Sequence, residues 1–183
     1  MRLRGQAEGS AVLGFAYTPS NARGILLAAA VFRPGTGSFT LTSIGDRVVG
    51  WDLAMGADGT SHFAYTRTAA SNTSAVGRLS TVHVPATGNV TVHELASYTS
   101  LEVQLENGIR VPSLAVNASG VVMVGGARAS LGRAPFYAGT ASGGFTAIGE
   151  ATGTYPSAGN LALFLDASGR AFYLTGLRCQ LYR

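Results

Sequence analysis

The chain has 183 residues, 46% of them hydrophobic and only 12% charged, with a formal net charge of +4 and a mean hydropathy of +0.25. A chain this apolar must bury its sheets on both faces, yet no run approaches the ~18 apolar residues of a membrane span. Every basic residue is arginine, scattered singly from Arg2 to Arg183, and there is no lysine. Such scatter lacks the clustered basic patch of a nucleic-acid surface, so nucleic acid and membrane insertion are both excluded as expected partners.

Four short blocks punctuate the chain: Gln6-Ala-Glu-Gly9, Gly56-Ala-Asp-Gly59, Asn117-Ala-Ser-Gly120 and Asp166-Ala-Ser-Gly169. Their last glycines stand 50, 61 and 49 positions apart. A small or acidic residue followed by Gly, between apolar runs, signals a tight hairpin in which Gly supplies a positive φ. Each block follows a short first strand (A), which opens with Leu3 to Gln6 in the first copy, and precedes a second strand (B) at 12–18, 61–66, 121–126 and 170–175. The tetrapeptide Phe-Ala-Tyr-Thr recurs at 15–18 and 63–66. A third strand (C) opens at Gly24, Gly77, Gly132 and Gly176. A Gly-rich turn then leads to a fourth strand (D) at 39–42, 90–93 and 145–148.

A meander of four strands repeated about every 50 residues is the pattern of a propeller blade. The expected fold is therefore all-β: a β-propeller-type array of four-stranded antiparallel meander blades at about 1–45, 50–97, 112–150 and 160–183. The second interval is longer because Ser100 to Pro112 is inserted, where Leu101, Val103 and Leu105 alternate with Glu102, Gln104 and Glu106 before an Asn107-Gly108 turn. This segment reads as an extra hairpin. The fourth copy reaches only strand C, so it ends on an edge that recruits another strand readily. Self-association through 177–183 is one expectation, and an arc belonging to a larger ring is another.

Ser113-Leu-Ala-Val-Asn-Ala-Ser-Gly120 and Leu163-Phe-Leu-Asp-Ala-Ser-Gly169 resemble the Ser-Leu-Ala-Leu-Asp-x-x-Gly repeats of bacterial extracellular β-propellers. The aromatic strands that follow such repeats have partial counterparts in Phe63-Ala-Tyr65 and Phe172-Tyr173. The resemblance implies a propeller fold, in a group that includes lectin-like and sialidase-like members, and an extracellular or cell-surface location within a larger protein. The chain departs from the pattern by lacking the Ser-x-Asp-x-Gly-x-x-Trp box, and its only tryptophan is Trp51. The opening residues, Met1 to Glu8, carry no apolar stretch of a secretory signal.

Chemistry is sparse. A glycosidase needs two carboxylates across the scissile bond, but Glu8, Asp58 and Asp166 belong to A–B turns, where turn chemistry accounts for them. His83 and His93 flank the Pro85–Gly88 turn, and a simple hairpin register pairs His83 with Val90 and His93 with Ser80. That register puts the two histidines on opposite faces. No catalytic group, metal site or cofactor is therefore expected, and Cys179, the single cysteine, allows no intrachain disulfide. The leading function is a non-catalytic binding module that presents loops to a glycan or protein partner. The candidate contacts are Trp51 and Asp52 at the start of the second blade, Arg67 and Asn72 in its B–C region, and Glu102 and Arg110 in the inserted hairpin. The alternatives are part of a glycosidase or other propeller enzyme with its catalytic residues elsewhere, and a structural repeat of a large surface protein.

Overall fold

The computed structural model describes residues 1–20, 24–68, 77–98, 111–126, 133–152, 161–175 and 178–182. Among these the regular structure is β-strand throughout, in four antiparallel sheets, each a meander in chain order. Sheet 1 holds β1 (Arg2–Gly5), β2 (Ala11–Tyr17), β3 (Leu26–Arg33) and β4 (Ser38–Gly45). Sheet 2 holds β5 (Val48–Met55), β6 (Ser61–Arg67), β7 (Gly77–Val84) and β8 (Thr91–Tyr98). Sheet 3 holds β9 (Ser113–Val116), β10 (Val122–Gly125), β11 (Arg133–Thr140) and β12 (Gly144–Thr152). Sheet 4 holds β13 (Leu161–Leu165), β14 (Ala171–Thr175) and β15 (Arg178–Tyr182). Among the described residues β15 has β14 on one side and no strand on the other. The expected inserted hairpin at 100–112 lies outside the described residues, except for Val111 and Pro112, which are not in a strand.

The four turn blocks share one backbone. In each, the glycine N–H donates to the carbonyl of the block's first residue, at 3.0 Å for Gly9, Gly59 and Gly169 and 3.1 Å for Gly120. The first residue's own N–H donates to the carbonyl just after the glycine, at 2.9 to 3.0 Å. This closes a tight hairpin only if the glycine is left-handed, and φ is 92°, 80°, 79° and 84° in the four copies. A side chain added at Gly120 would meet nothing within 4 Å, so its cost is backbone strain alone. Gly120→Val should lower stability by about 1–3 kcal/mol, read as a fall in the denaturation midpoint. An unchanged midpoint would show that this turn does not need its glycine.

The sheets stack in order. Val12, Leu27, Ala29 and Val31 of sheet 1 pack with Leu53, Phe63, Tyr65, Val82 and Val84 of sheet 2. Ala64 and Leu79, on the other face of sheet 2, meet Leu114, Val122 and Val124 of sheet 3. Ala115, Met123 and Phe136 of sheet 3 meet Leu163 and Ala171 of sheet 4. Sheet 2 is thus covered on both faces, which is why six of the seven residues of β6 are buried and why the strand lacks polar alternation. Gly14 and Gly45 permit close approach between sheets 1 and 2, since a Cβ at either would lie 2.8 Å from the Trp51 or the Tyr65 ring. The first strands β1, β5, β9 and β13 neighbour one another in succession, so the sheets fan outward from their innermost strands.

One register departs from expectation. His83 stands opposite Thr91 and His93 opposite Thr81, one residue away from the simple hairpin pairing. A one-residue shift moves every side chain to the other face, so His83 and His93 share a face and their ring centroids are 5.5 Å apart.

Candidate functional site

Trp51 and Asp52 lie in β5, the innermost strand of sheet 2. Asp52 occupies the fourth position before its turn block, as Arg2 does in β1 and Ser113 does in β9. Stacking the repeats therefore brings these positions together. Arg2 Nη1 donates to Asp52 Oδ1 at 2.5 Å, and the Leu53 N–H donates to the same oxygen at 2.9 Å. The Leu114 N–H of β9 donates to Oδ2 at 3.0 Å. Arg2 also sits over the Trp51 ring, 5.5 Å from its centroid, in a cation–π contact. One carboxylate, with only 14% of its side-chain surface exposed, ties together the inner strands of three sheets. Arg2 was not among the expected residues, although its repeat position opposite an acid was the available signal.

The same one-repeat spacing recurs in other links between sheets. Gln6 Nε2 donates to the Gly56 carbonyl, Arg33 Nη2 to the Pro85 carbonyl at 2.7 Å, and Thr91 Oγ1 to the Ala141 carbonyl at 3.1 Å. Each pair is 50 to 52 residues apart. The repeat seen in the sequence is therefore also the spacing of the contacts between sheets.

Arg67 ends β6 and reaches the loop between sheets 1 and 2, where its Nη1 lies 3.3 Å from Asp46 Oδ1. Asp46 also pairs with Arg47 at 3.0 Å, and Arg47 holds a left-handed φ of 49°, a strained conformation for a residue with a side chain. Nearby, Arg78 donates to Glu94 at 2.6 Å. The hydrogen bond from Ser97 and the Arg78 guanidinium hold the Glu94 carboxyl below its usual range. Asn72, Glu102 and Arg110 lie outside the described residues. Of the six expected contacts, then, Trp51 and Asp52 are brought together, and Arg67 sits at the end of the sheets where β5 begins.

Between sheets 2 and 3 lies a second polar cluster. His62 is 2% exposed and His83 fully buried, and their Nδ1 atoms are 2.7 Å apart. One ring must donate while the other accepts, so the short contact requires at least one neutral imidazole. His83 Nε2 contacts Thr81 Oγ1 at 3.2 Å, and its ring stacks on Phe145 of β12. His93 lies within 3.0 Å of the Ala141 carbonyl. Burial pushes His62 down to about 4, opposed by the Asp58 charge, and pushes His83 down to about 3, assisted by repulsion from His62 and His93. Among the described residues no group of three or more His, Cys, Asp or Glu is arranged to hold a metal ion.

No known family profile matches the sequence, and no curated protein matches it. Among solved structures the chain is similar to a crystal structure of a thermostable family-43 glycoside hydrolase, with a TM-score of 0.53 at 10% identity. The likeness is one of fold. It covers 96% of this chain and 64% of that one, so this chain spans less than two thirds of that protein's length. It supports a propeller-like arrangement of the four sheets.

Proposed function

We propose that the chain is a non-catalytic β-propeller binding module whose variable end takes a glycan or a protein partner. The carrying observation is the difference between the two ends of the sheets. At one end, every connection from the first to the second strand is a five-residue turn, and those from the third to the fourth strand run from three to six residues. At the other end lie the connections from second to third strands and from one sheet to the next, and these range from two to fourteen residues. Propellers bind ligands at loop-lined ends of the axis, and length variation on a uniform scaffold is how such surfaces diversify. Arg67 and Asp46 stand at this variable end, and by sequence so do Asn72, Glu102 and Arg110.

The carboxylates support binding over catalysis. Asp52 is the only acidic residue on the four innermost strands, and each of its oxygens already accepts a hydrogen bond. Glu94 is held below its usual range, whereas a catalytic acid needs a raised pKa. A second reading, a propeller enzyme related to glycoside hydrolases with its carboxylates outside the described residues, draws on the likeness in fold to the family-43 enzyme.

A glycan array followed by titration, run beside an aryl-glycoside hydrolysis assay, separates the two. Saturable binding without turnover is expected. The Arg67→Ala/Asn72→Ala double variant should weaken binding about tenfold with an unchanged melting temperature. Release of the aryl group above background would replace the binding reading with the enzymatic one.

A further inference from the structure

Arg67 ends β6, and Arg78, near the start of β7, stands directly opposite it. Like charges across a strand pair repel, so this end of sheet 2 needs neutralising. Glu94 takes Arg78: one carboxylate oxygen accepts from its guanidinium at 2.6 Å and the other accepts from Ser97 at 2.9 Å. Arg67 is less well matched. It shares Asp46 with Arg47, and its Nη1 lies 3.3 Å from the carboxylate, outside the ~2.7–2.9 Å of a strong charged hydrogen bond. Its Nε is buried and donates to nothing among the described residues, although a guanidinium is built to donate several hydrogen bonds at once.

These charges meet at one place. Strand alternation puts Arg67 on the same face of sheet 2 as Tyr65, the face that packs on sheet 1. The Tyr65 hydroxyl is hydrogen-bonded to Ser80 and lies within reach of the charges of Arg67, Asp46 and Glu94. It rests against Gly45, where a Cβ would be 3.2 Å from the phenol oxygen, and the next two residues, Asp46 and Arg47, complete the cluster. Their backbone is held in place. The Val48 N–H donates to the Ile25 carbonyl at 3.0 Å, and the Thr68 N–H donates to the Arg47 carbonyl at 3.2 Å, which fixes Arg47 at its left-handed φ of 49°. Such strain persists only where the surroundings determine it. The five charged side chains are 33% to 44% exposed, so the cluster is open to solvent.

Three arginines against two carboxylates leave one positive charge in excess, set among acceptors. The geometry points to an anion-binding subsite for an acidic sugar, whose single carboxylate or sulfate lies between Arg67 and Arg78 while its hydroxyls meet Asp46, Glu94 and Ser97. The inference rests on the reading of this end of the sheets as the binding surface, and it names the chemistry of the ligand. Guanidinium groups recognise oxyanions through paired N–H donors in one plane. A hydroxylated ring with one negative charge matches a site where donors and acceptors alternate. A run of acidic residues does not, because Asp46 and Glu94 flank the arginines and repel each added charge. Charges this exposed also make the binding sensitive to salt.

Calorimetric titration with neutral, glucuronate-bearing and sulfated oligosaccharides of one backbone tests this, beside a glutamate-rich peptide. At least one charged sugar should bind about tenfold or more tighter than the neutral one, and the tighter of the two identifies the anion. The preference should shrink as salt rises to about 0.5 M. Arg78→Gln should erase it while leaving the melting temperature and the neutral sugar's affinity unchanged. Arg170→Gln, in an exposed turn at the opposite end, should keep it. Equal affinity for neutral and charged sugars would overturn the inference and leave the binding reading standing. A preference that survives Arg78→Gln would place the anion elsewhere, and tighter binding of the peptide would assign the site to a protein partner; either result overturns the subsite. Binding of none of the sugars would overturn it as well, and an empty glycan array beside that result would remove the binding reading itself.

Discussion

Lowering the pH from 7 to about 4.5 should destabilise the protein. His62 and His83 are buried and neutral, pushed from the ordinary 6.5 to about 4 and about 3. Below pH 6.5 the unfolded chain therefore binds protons that the folded chain refuses. Stability is fully present above pH 6.5 and is lost as pH falls toward the folded values. Over the two pH units from 6.5 to 4.5 each such histidine costs roughly 3 kcal/mol, a substantial part of the usual 5–15 kcal/mol.

The groups around the pair do not remove the effect. Asp58 partly favours the charged form of His62, but His62 and His93 both oppose charge on His83. From sheet 3 the cluster meets the Phe145 ring and the Ala141 carbonyl. Asp58 and Glu94 are held below their usual values, and Asp166 at about 2, so their losses come at lower pH. Urea midpoints measured at pH 7, 6, 5 and 4.5 should fall steadily. In a His62→Phe/His83→Phe variant that slope should flatten. A wild-type midpoint that is level from pH 7 to 5 would refute burial of neutral histidines between the second and third sheets.

Asp52→Ala is the second large effect. It leaves the Leu114 N–H without its acceptor and the Arg2 guanidinium without its counter-charge. Asp52 is the buried member of a part-buried pair, and a buried donor left without its acceptor costs more than the bond itself contributes. We expect a loss of about 2–4 kcal/mol, or ~4–16 °C in melting temperature for a chain of this length. Asp52→Asn keeps an acceptor and should lose less than half as much. If Asp52→Ala melted like the wild type, the carboxylate would not be joining three sheets.

The strand pattern was legible because its signals are local. Gly9, Gly59, Gly120 and Gly169 announce a turn that only glycine closes comfortably, and apolar runs on either side fix the strands. The candidate site was legible only in part. Trp51 and Asp52 stand out by type, but the approach of Arg2 and Leu114 to Asp52 depends on how the repeats stack. Aligning the copies at their turns would have found Arg2, since position four before the turn carries opposite charges in consecutive copies. The His83–His93 relationship failed for another reason. Faces in a hairpin hang on a single residue of loop length, and the turn after Val84 takes one residue more than the simple register allows. His62, thirty-one positions before His93, joins the cluster through strand pairing that no local motif reports.

A double-mutant cycle between Arg2 and Asp52 tests the central claim, that consecutive repeats stack in register as propeller blades, most directly. The two residues are 50 positions apart and hold equivalent places in successive sheets. Chemical denaturation of wild type, Arg2→Ala, Asp52→Ala and the double variant at pH 7.5 gives their coupling. In-register stacking predicts a coupling of about 1–3 kcal/mol; additive losses within about 0.3 kcal/mol, the behaviour of residues without contact, would contradict it.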